Sequence, residues 1–392
     1  MIKYGLLVNE NNGNIGDDIQ AYAEAQFLPR VDVIVDRENL DIFKYGNGKD
    51  PVALIMGAWF MWHKYNWPPS RQIVPLVLGY HHFERNRNVY KALKYALPIF
   101  TENYEGIGGQ WFKDHGRVGC RDLYTCRVLD EAGIPNYFSG CVTLTLPKQK
   151  TTKDKGKYIV LVDITPEAEK KIRKMVKGKY EVRKISHFTE NINGATWEER
   201  VKRVEELLTQ YQNAAYVVTM RLHVALPCLA METPVLVIEP PMMNDPNRFE
   251  PYKDWLHYVT TAEFLDKGCK DFDFINGTPN KKDYLEYRES LTKTMKEFVD
   301  YCEKNKNKPL SFFDKISYSD EELAKWRIDF MRTSLKKAHV ESKKMLIKFQ
   351  TLDEIPLKDV IWGRFRRKHI IGYNKMVLLK KIKHKIFKKK KK

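Results

Sequence analysis

The chain has 392 residues and is 43% hydrophobic, long enough for more than one domain and apolar enough to bury real cores, which sets disorder aside. Its formal charge of +18 is not a nucleic-acid signature: residues 363–392 hold fourteen Lys or Arg and no acid, and the remainder is nearly balanced at 54 basic against 50 acidic residues. No apolar window approaches the ~18 residues of a membrane span, and the opening Met1–Asn9 lacks the pattern of a signal peptide, so the chain is expected to stay in the cytoplasm with its six cysteines reduced and, lacking CxxC spacing, without zinc.

The first 145 residues alternate short β-like runs with helical stretches. Tyr4–Val8 reads as a strand, Asn14 to about Phe27 as a helix, and Val31–Asp36, Val52–Met56 and Val74–Leu78 as further strands. Ile99–Thr101 reads as another short strand, and Val118–Cys120 precedes a helix that runs to Gly133. This rhythm predicts a parallel sheet covered on both faces. A lysine-rich stretch, Lys148–Lys157, reads as a linker, after which Tyr158–Asp163 restarts the pattern. Helices are expected at Pro166–Val176, Trp197–Tyr211 and Leu222–Met231, and strands at Ala215–Thr219 and Val235–Ile238. The organisation expected is therefore two doubly wound α/β halves, residues 1–147 and 158–280, then a helical extension over 281–355 and a basic tail over 356–392. Such sheets bind ligands at the carboxyl ends of their strands.

Four segments sit at such ends. Asn11–Asp18 (Asn-Asn-Gly-Asn-Ile-Gly-Asp-Asp) follows the first strand and opens a helix, whose free N–H groups favour an anion. It lacks the glycine patterns of dinucleotide and P-loop sites. Arg121-Asp122 follows the strand Val118–Cys120 and offers a guanidinium fork for a carboxylate or phosphate. Arg221 and His223 follow Ala215–Thr219 and suit one shared anion, the Arg neutralising charge and the His donating a proton. Glu239–Phe249 follows Val235–Ile238 and carries Arg248. By residue type alone each segment also fits a plain structural role: a turn capped by Asp17 or Asp18, a surface pair, a capping His223 with a structural Arg221, and a Pro-rich connection. His81-His82 reads as a lone pair on a short segment.

The order of these pieces resembles the polysaccharide pyruvyltransferase family. Gly13-Asn14-Ile15-Gly16-Asp17-Asp18-Ile19-Gln20-Ala21-Tyr22-Ala23, Arg121-Asp122 with Leu129 and Gly133, and Thr219-Met220-Arg221-Leu222-His223 with Thr233-Pro234 carry the resemblance over about residues 5–260. It implies two Rossmann-like halves of GT-B type, with phosphoenolpyruvate as donor and a pyruvate ketal on a sugar as product, in capsular, exo- or cell-wall polysaccharide. It implies Arg221, Leu222 and Arg121 at the donor, His223 as general acid, Asp17 as a catalytic residue close to the acceptor, and Asn14 and Gly16 as further substrate-binding residues. Many relatives carry a Lys in the loop where Arg248 is here the only basic residue. No cofactor or metal is implied.

Two other functions fit the same pattern: a glycosyltransferase with a nucleotide-sugar donor, and a non-catalytic scaffold of polysaccharide assembly on the membrane. The tail bears on the partners. Val377, Leu378, Ile382 and Ile386 form an apolar stripe broken by lysines, and the chain ends in five more. Such a segment reads as an interfacial anchor on an anionic membrane surface, or as a solvated basic tail. The expected partners are thus phosphoenolpyruvate, a sugar acceptor on a lipid carrier and the inner face of the cell membrane, with no nucleic acid.

Overall fold

The computed structural model describes residues 1–9, 13–57, 67–82, 104–188, 194–240 and 247–354. The expected strand at Ile99–Thr101, the middle of the loop from Glu239 to Phe249, and the tail after Pro356 lie outside the described residues, wholly or in part.

The first sheet comprises β1 (Lys3–Val8), β2 (Val33–Asp36), β3 (Val52–Met56), β4 (Ile73–Tyr80), β5 (Val118–Cys120) and β6 (Asn136–Phe138), in the order β2-β1-β3-β4-β5-β6. All its pairs are parallel, with Leu6 opposite Ile34 on one side and Ile55 on the other. The second sheet comprises β7 (Tyr158–Val162), β8 (Glu181–Ile185), β9 (Val217–Thr219), β10 (Val235–Glu239) and β11 (His257–Thr260), in the order β11-β10-β9-β7-β8, again parallel throughout. The chain is thus an α/β fold with two parallel sheets. Central strands β3 and β7 are buried along their whole length, as a parallel sheet covered on both faces requires. In each sheet the chain leaves its first strand toward one edge and returns to its other side. The crevices so formed lie between β1 and β3 and between β7 and β9.

Helices connect the strands. These are α1 (Ile15–Ala25), α2 (Gly106–Asp114), α3 (Leu123–Glu131), α4 (Pro166–Met175), α5 (Trp197–Asn213), α6 (Leu222–Ala230), α7 (Thr261–Lys267), α8 (Leu285–Lys304), α9 (Leu310–Phe313) and α10 (Asp320–Glu354). Asn14 caps α1, its side chain accepting from Gly16 N–H at 3.2 Å, rather than Asp17 or Asp18. Those two acids pair instead, Asp17 with Arg37 at 3.2 Å and Asp18 with Arg200 of α5 at 2.9 Å. One apolar core runs from Tyr4, Leu6 and Ile55 of the first sheet through α1 and α6 to Val160, Val217 and Val237 of the second. Both sheets belong to one compact unit, Met1–Asn86 with Leu97–Asp320.

The expected linker is tied down along the end of α5. Thr152 N–H donates to Asn213 Oδ1 at 2.6 Å, Gln149 N–H to Gln212 Oε1 at 2.9 Å, and Asn213 Nδ2 to Lys150 O at 2.9 Å. In α8, Leu291, Met295, Val299 and Cys302 are buried at helical spacing, and Tyr4 Oη donates to Glu303 at 2.8 Å. The other unit contains Glu321–Lys392, whose described part is helical to Glu354, with Trp326 and Phe330 stacked at 5.1 Å.

Candidate functional site

The candidate site residues Arg121, Arg221 and His223 lie beyond the carboxyl ends of β5 and β9, beside the end of β4. Beyond β5, Arg121 donates its backbone N–H to Tyr80 O at 2.7 Å, which locks it beside the end of β4. Its side chain is 1% exposed, its Nη1 has no hydrogen-bond partner, and among the described residues no carboxylate lies within ion-pair distance of it. A buried cation without a counterion is costly, so the fold holds it against a penalty that a ligand anion would remove. The following residue, Asp122, caps α3 through Thr125 N–H at 2.8 Å and meets His81 Nδ1 at 2.5 Å.

Beyond β9 the chain turns directly into α6. Arg221 takes the N-cap position, its N–H donating to Thr219 Oγ1 at 2.9 Å. His223 sits at φ −77° and ψ 17°, off helical geometry, and is 2% exposed. Its Nε2 lies 3.8 Å from Cys141 Sγ, and its Nδ1 has no hydrogen-bond partner among the described residues. Gly16 faces that ring so closely that a Cβ there would lie 3.1 Å from Nδ1. Burial, first, holds the His223 imidazole well below the usual histidine range, and Arg248, Arg121, His187 and His81 push the same way. Burial likewise raises the Cys141 thiol, opposed by Arg121, Thr143 and Arg248. Half-buried Arg248 therefore acts electrostatically on His223 and Cys141, as Arg121 does. Tyr252 Oη donates to the carbonyl of Arg121, which ties the segment after Arg248 to the end of β5.

The structure thus brings Arg121, Arg248, His223 and Gly16 together. Arg221 differs from the other two arginines. It is 33% exposed, its Nε donates to Asp163 Oδ2 at 2.9 Å, and its guanidinium lies 4.3 Å over the Phe188 ring. Asp163, at the carboxyl end of β7 with φ 51°, also accepts His187 N–H at 3.1 Å, so Arg221 and Asp163 span the crevice between β7 and β9. Leu222 is 1% exposed and belongs to the core. Asp17 stays with Arg37. The free N–H groups expected at the start of α1 are occupied: Ile15 donates to His187 O, Gly16 to Asn14 Oδ1 and Asp17 to Asn14 O.

Sequence reasoning missed Cys141, His187 and Tyr252. His187 follows β8, an edge strand whose residues Glu181–Ile185 have no continuous apolar run. It is 1% exposed and hydrogen-bonded to Tyr211 Oη at 2.8 Å, and burial, with Arg221 and Arg248, lowers it to about 4. The one available signal for Cys141 was its preceding Ser139-Gly140, with Gly140 at φ 78°. The pair His81-His82 proves to lie directly beyond the end of β4, His82 Nδ1 meeting Tyr104 Oη at 2.8 Å.

A family model described as "Polysaccharide pyruvyl transferase" matches residues 14–240. Among solved structures, the chain is similar to a functionally uncharacterized protein, KP1_0663, from Klebsiella pneumoniae subsp. pneumoniae NTUH-K2044. The identity is 13%, the TM-score 0.34, and the match covers 66% of this chain and 92% of that one. It is also similar to the E. coli heptosyltransferase WaaC with ADP, at 13% identity and a TM-score of 0.30, covering 78% of this chain and 98% of that one. No curated protein matches the sequence.

Proposed function

The chain belongs to the polysaccharide pyruvyl transferase family, and from that premise we propose that it uses phosphoenolpyruvate to build a pyruvate ketal across two hydroxyls of a sugar. The observation that carries the reading is the pairing of two buried, unsatisfied groups, Arg121 Nη1 and His223 Nδ1, in one electropositive place.

The chemistry follows from that pairing. Phosphoenolpyruvate is a small polyanion, and Arg121 and Arg248 supply the fixed cations that hold it. Arg221 supports the rim from its bond with Asp163. By itself His223 is neutral, because burial and two arginines oppose its charge. An anion reverses that balance, so donor and proton enter together and His223 becomes an acid only when there is something to protonate. It then delivers the proton to the methylene carbon of the donor, C3, which leaves C2 electrophilic. A sugar hydroxyl bonds to C2, phosphate departs, and a second hydroxyl closes the ketal.

The acceptor in this reading is a sugar on a lipid carrier, in capsular, exo- or cell-wall polysaccharide synthesis. Fourteen basic residues in 363–392, interleaved with apolar ones, would hold the enzyme at an anionic membrane face. Among the described residues no helix is long and apolar enough to cross a membrane. Thermal melting in the presence of phosphoenolpyruvate and of a set of nucleotide sugars tests the donor. Protection by phosphoenolpyruvate alone is expected, and protection by a nucleotide sugar alone would transfer the reading to glycosyl transfer.

A further inference from the structure

The scheme above needs a base for the sugar hydroxyl, and two residues at the ends of β4 and β5 are built as one. His81 Nδ1 and Asp122 Oδ2 are 2.5 Å apart, with the two side chains 2% and 1% exposed. The other carboxylate oxygen accepts from Thr125 N–H at 2.8 Å and from its hydroxyl at 2.9 Å. Burial raises the Asp122 carboxyl, but His81, Arg121 and Thr125 N–H together outweigh it and hold the group below its ordinary value. Asp122 is therefore an anion, which only accepts hydrogen bonds. His81 must therefore donate to it from Nδ1–H, which leaves Nε2 as the ring nitrogen through which a proton can be exchanged. The ring acts electrostatically on His223, and its neighbour Tyr80 accepts the backbone N–H of Arg121 at 2.7 Å. A histidine whose tautomer is set by a buried, pinned carboxylate is the arrangement of an oriented base.

We propose that His81 is the general base of the transfer and that Asp122 is the positioning residue that sets its tautomer; this rests on the pyruvyl-transfer reading. Asp17, expected as a catalytic residue near the acceptor, is instead paired with Arg37. As the first sugar oxygen bonds to C2, its proton passes to His81 Nε2, while His223 gives its proton to C3 and the methylene becomes a methyl group. The C2–O bond to phosphate breaks, the electron pair leaves with the phosphate, and His81 returns its proton to that leaving group. The second hydroxyl closes on C2 and its proton restores His223. Both hydroxyl protons are thereby placed, one on the methyl group and one on hydrogen phosphate.

His81→Asn tests the proposal, because the amide N–H stands in for Nδ1 and keeps the bond to Asp122 while the basic nitrogen is gone. Phosphoenolpyruvate should bind within about threefold of wild type, while phosphate release with a panel of soluble pyranosides offering 4,6- and 3,4-diols falls by about 100-fold or more. In Asp122→Asn, ¹⁵N spectra of the His81 ring should show the proton moved from Nδ1 to Nε2, with a comparable loss of turnover; a merely structural aspartate would leave the tautomer alone. The double variant should be no slower than His81→Asn alone. If His81→Asn does not melt cooperatively, the wild-type spectrum decides: a ring protonated on Nδ1 sustains the proposal and one protonated on Nε2 overturns it. A wild type that turns over while His81→Asn turns over at a similar rate removes His81 alone. A wild type that releases no phosphate with any sugar of the panel removes the pyruvyl reading, and this proposal with it.

Discussion

Replacing Arg121 by Met should separate binding from folding, because the charge it removes is buried with no carboxylate within ion-pair distance among the described residues. Exchanging a buried unpaired cation for an apolar side chain of similar length relieves desolvation, so the variant is expected to melt at or above the wild-type temperature. Donor affinity should fall by about 100-fold, the cost of roughly 3 kcal/mol of charge-assisted contact. Arg221→Ala should cost less, about tenfold, since Arg221 is a third exposed and already bonded to Asp163. Calorimetric titration of both variants checks the order; an Arg221 effect larger than that of Arg121 would place the donor at the rim. The two arginines look alike in sequence, each at a strand end before a helix. What tells them apart is Asp163, far away in the chain, which no local pattern ties to Arg221.

His187 makes a second residue-scale test. Its imidazole is lowered to about 4, chiefly by burial, while in the unfolded chain it titrates near 6.5. Below about pH 6.5 the unfolded state therefore binds the proton and the folded state does not. The stability contributed by neutral His187 is complete above that pH and is lost as pH falls toward 4, by roughly 3 kcal/mol in all. Asp18, raised to about 6, acts with the opposite sign in the same window, so the difference between wild type and His187→Gln is the informative quantity. Melting curves from pH 7.5 to 4.5 should show wild type losing more stability than the variant; parallel losses would mean His187 is already protonated in the fold.

Among the elements, strands buried on both faces were readable from their sequence. Val52–Met56 is an unbroken apolar run and is β3 to the residue; Tyr158–Val162 is nearly as clear. Of the edge strands, β2 was read as Val31–Asp36, but the other three were not. β6 is three half-buried residues, β8 mixes charged and apolar side chains, and β11 starts with a histidine, because each is paired on one side only and meets solvent or a helix on the other. Helix starts were legible where a cap carried them, as Thr196 and Glu199 do at α5. At α1 the motif was legible but its use was not: its N–H groups are occupied, and what it contributes is the closeness of Gly16 to His223. Gly16→Ala should therefore keep α1, for which alanine is the better residue, and displace the His223 ring by a few tenths of an ångström. Turnover should fall by about tenfold or more with the melting temperature little changed. Unaltered turnover would show that the contact with α1 does not position His223.

For the whole molecule, two parallel sheets share one apolar core, and the electropositive cluster of Arg121, Arg248 and His223 stands near where β4, β5 and β9 end. The alternation of strand and helix was enough to read an α/β fold with parallel sheets from the sequence. That Lys148–Lys157 lies fixed on α5 was not readable, since its anchors are backbone groups and the side chains of Gln212 and Asn213. The basic tail makes a prediction at this scale. Deleting residues 357–392 removes the stretch that holds most of the net charge and should release the enzyme from anionic vesicles while sparing turnover of a soluble acceptor. Vesicle binding that survives the deletion at equal salt would put the membrane contact elsewhere.

The buried cluster of Arg121, Arg248 and His223 is expected to take up an anion and a proton together. Calorimetric titration of phosphoenolpyruvate into the wild-type protein at pH 7.5, in two buffers of different ionisation enthalpy, measures both at once. Binding at one site is expected, with buffer-dependent heats that report uptake on the order of one proton per site, and with that uptake abolished in His223→Gln. Phosphoenolpyruvate that does not bind, or binds with the same heat in both buffers, would contradict the assignment of Arg121 and His223 to a donor site.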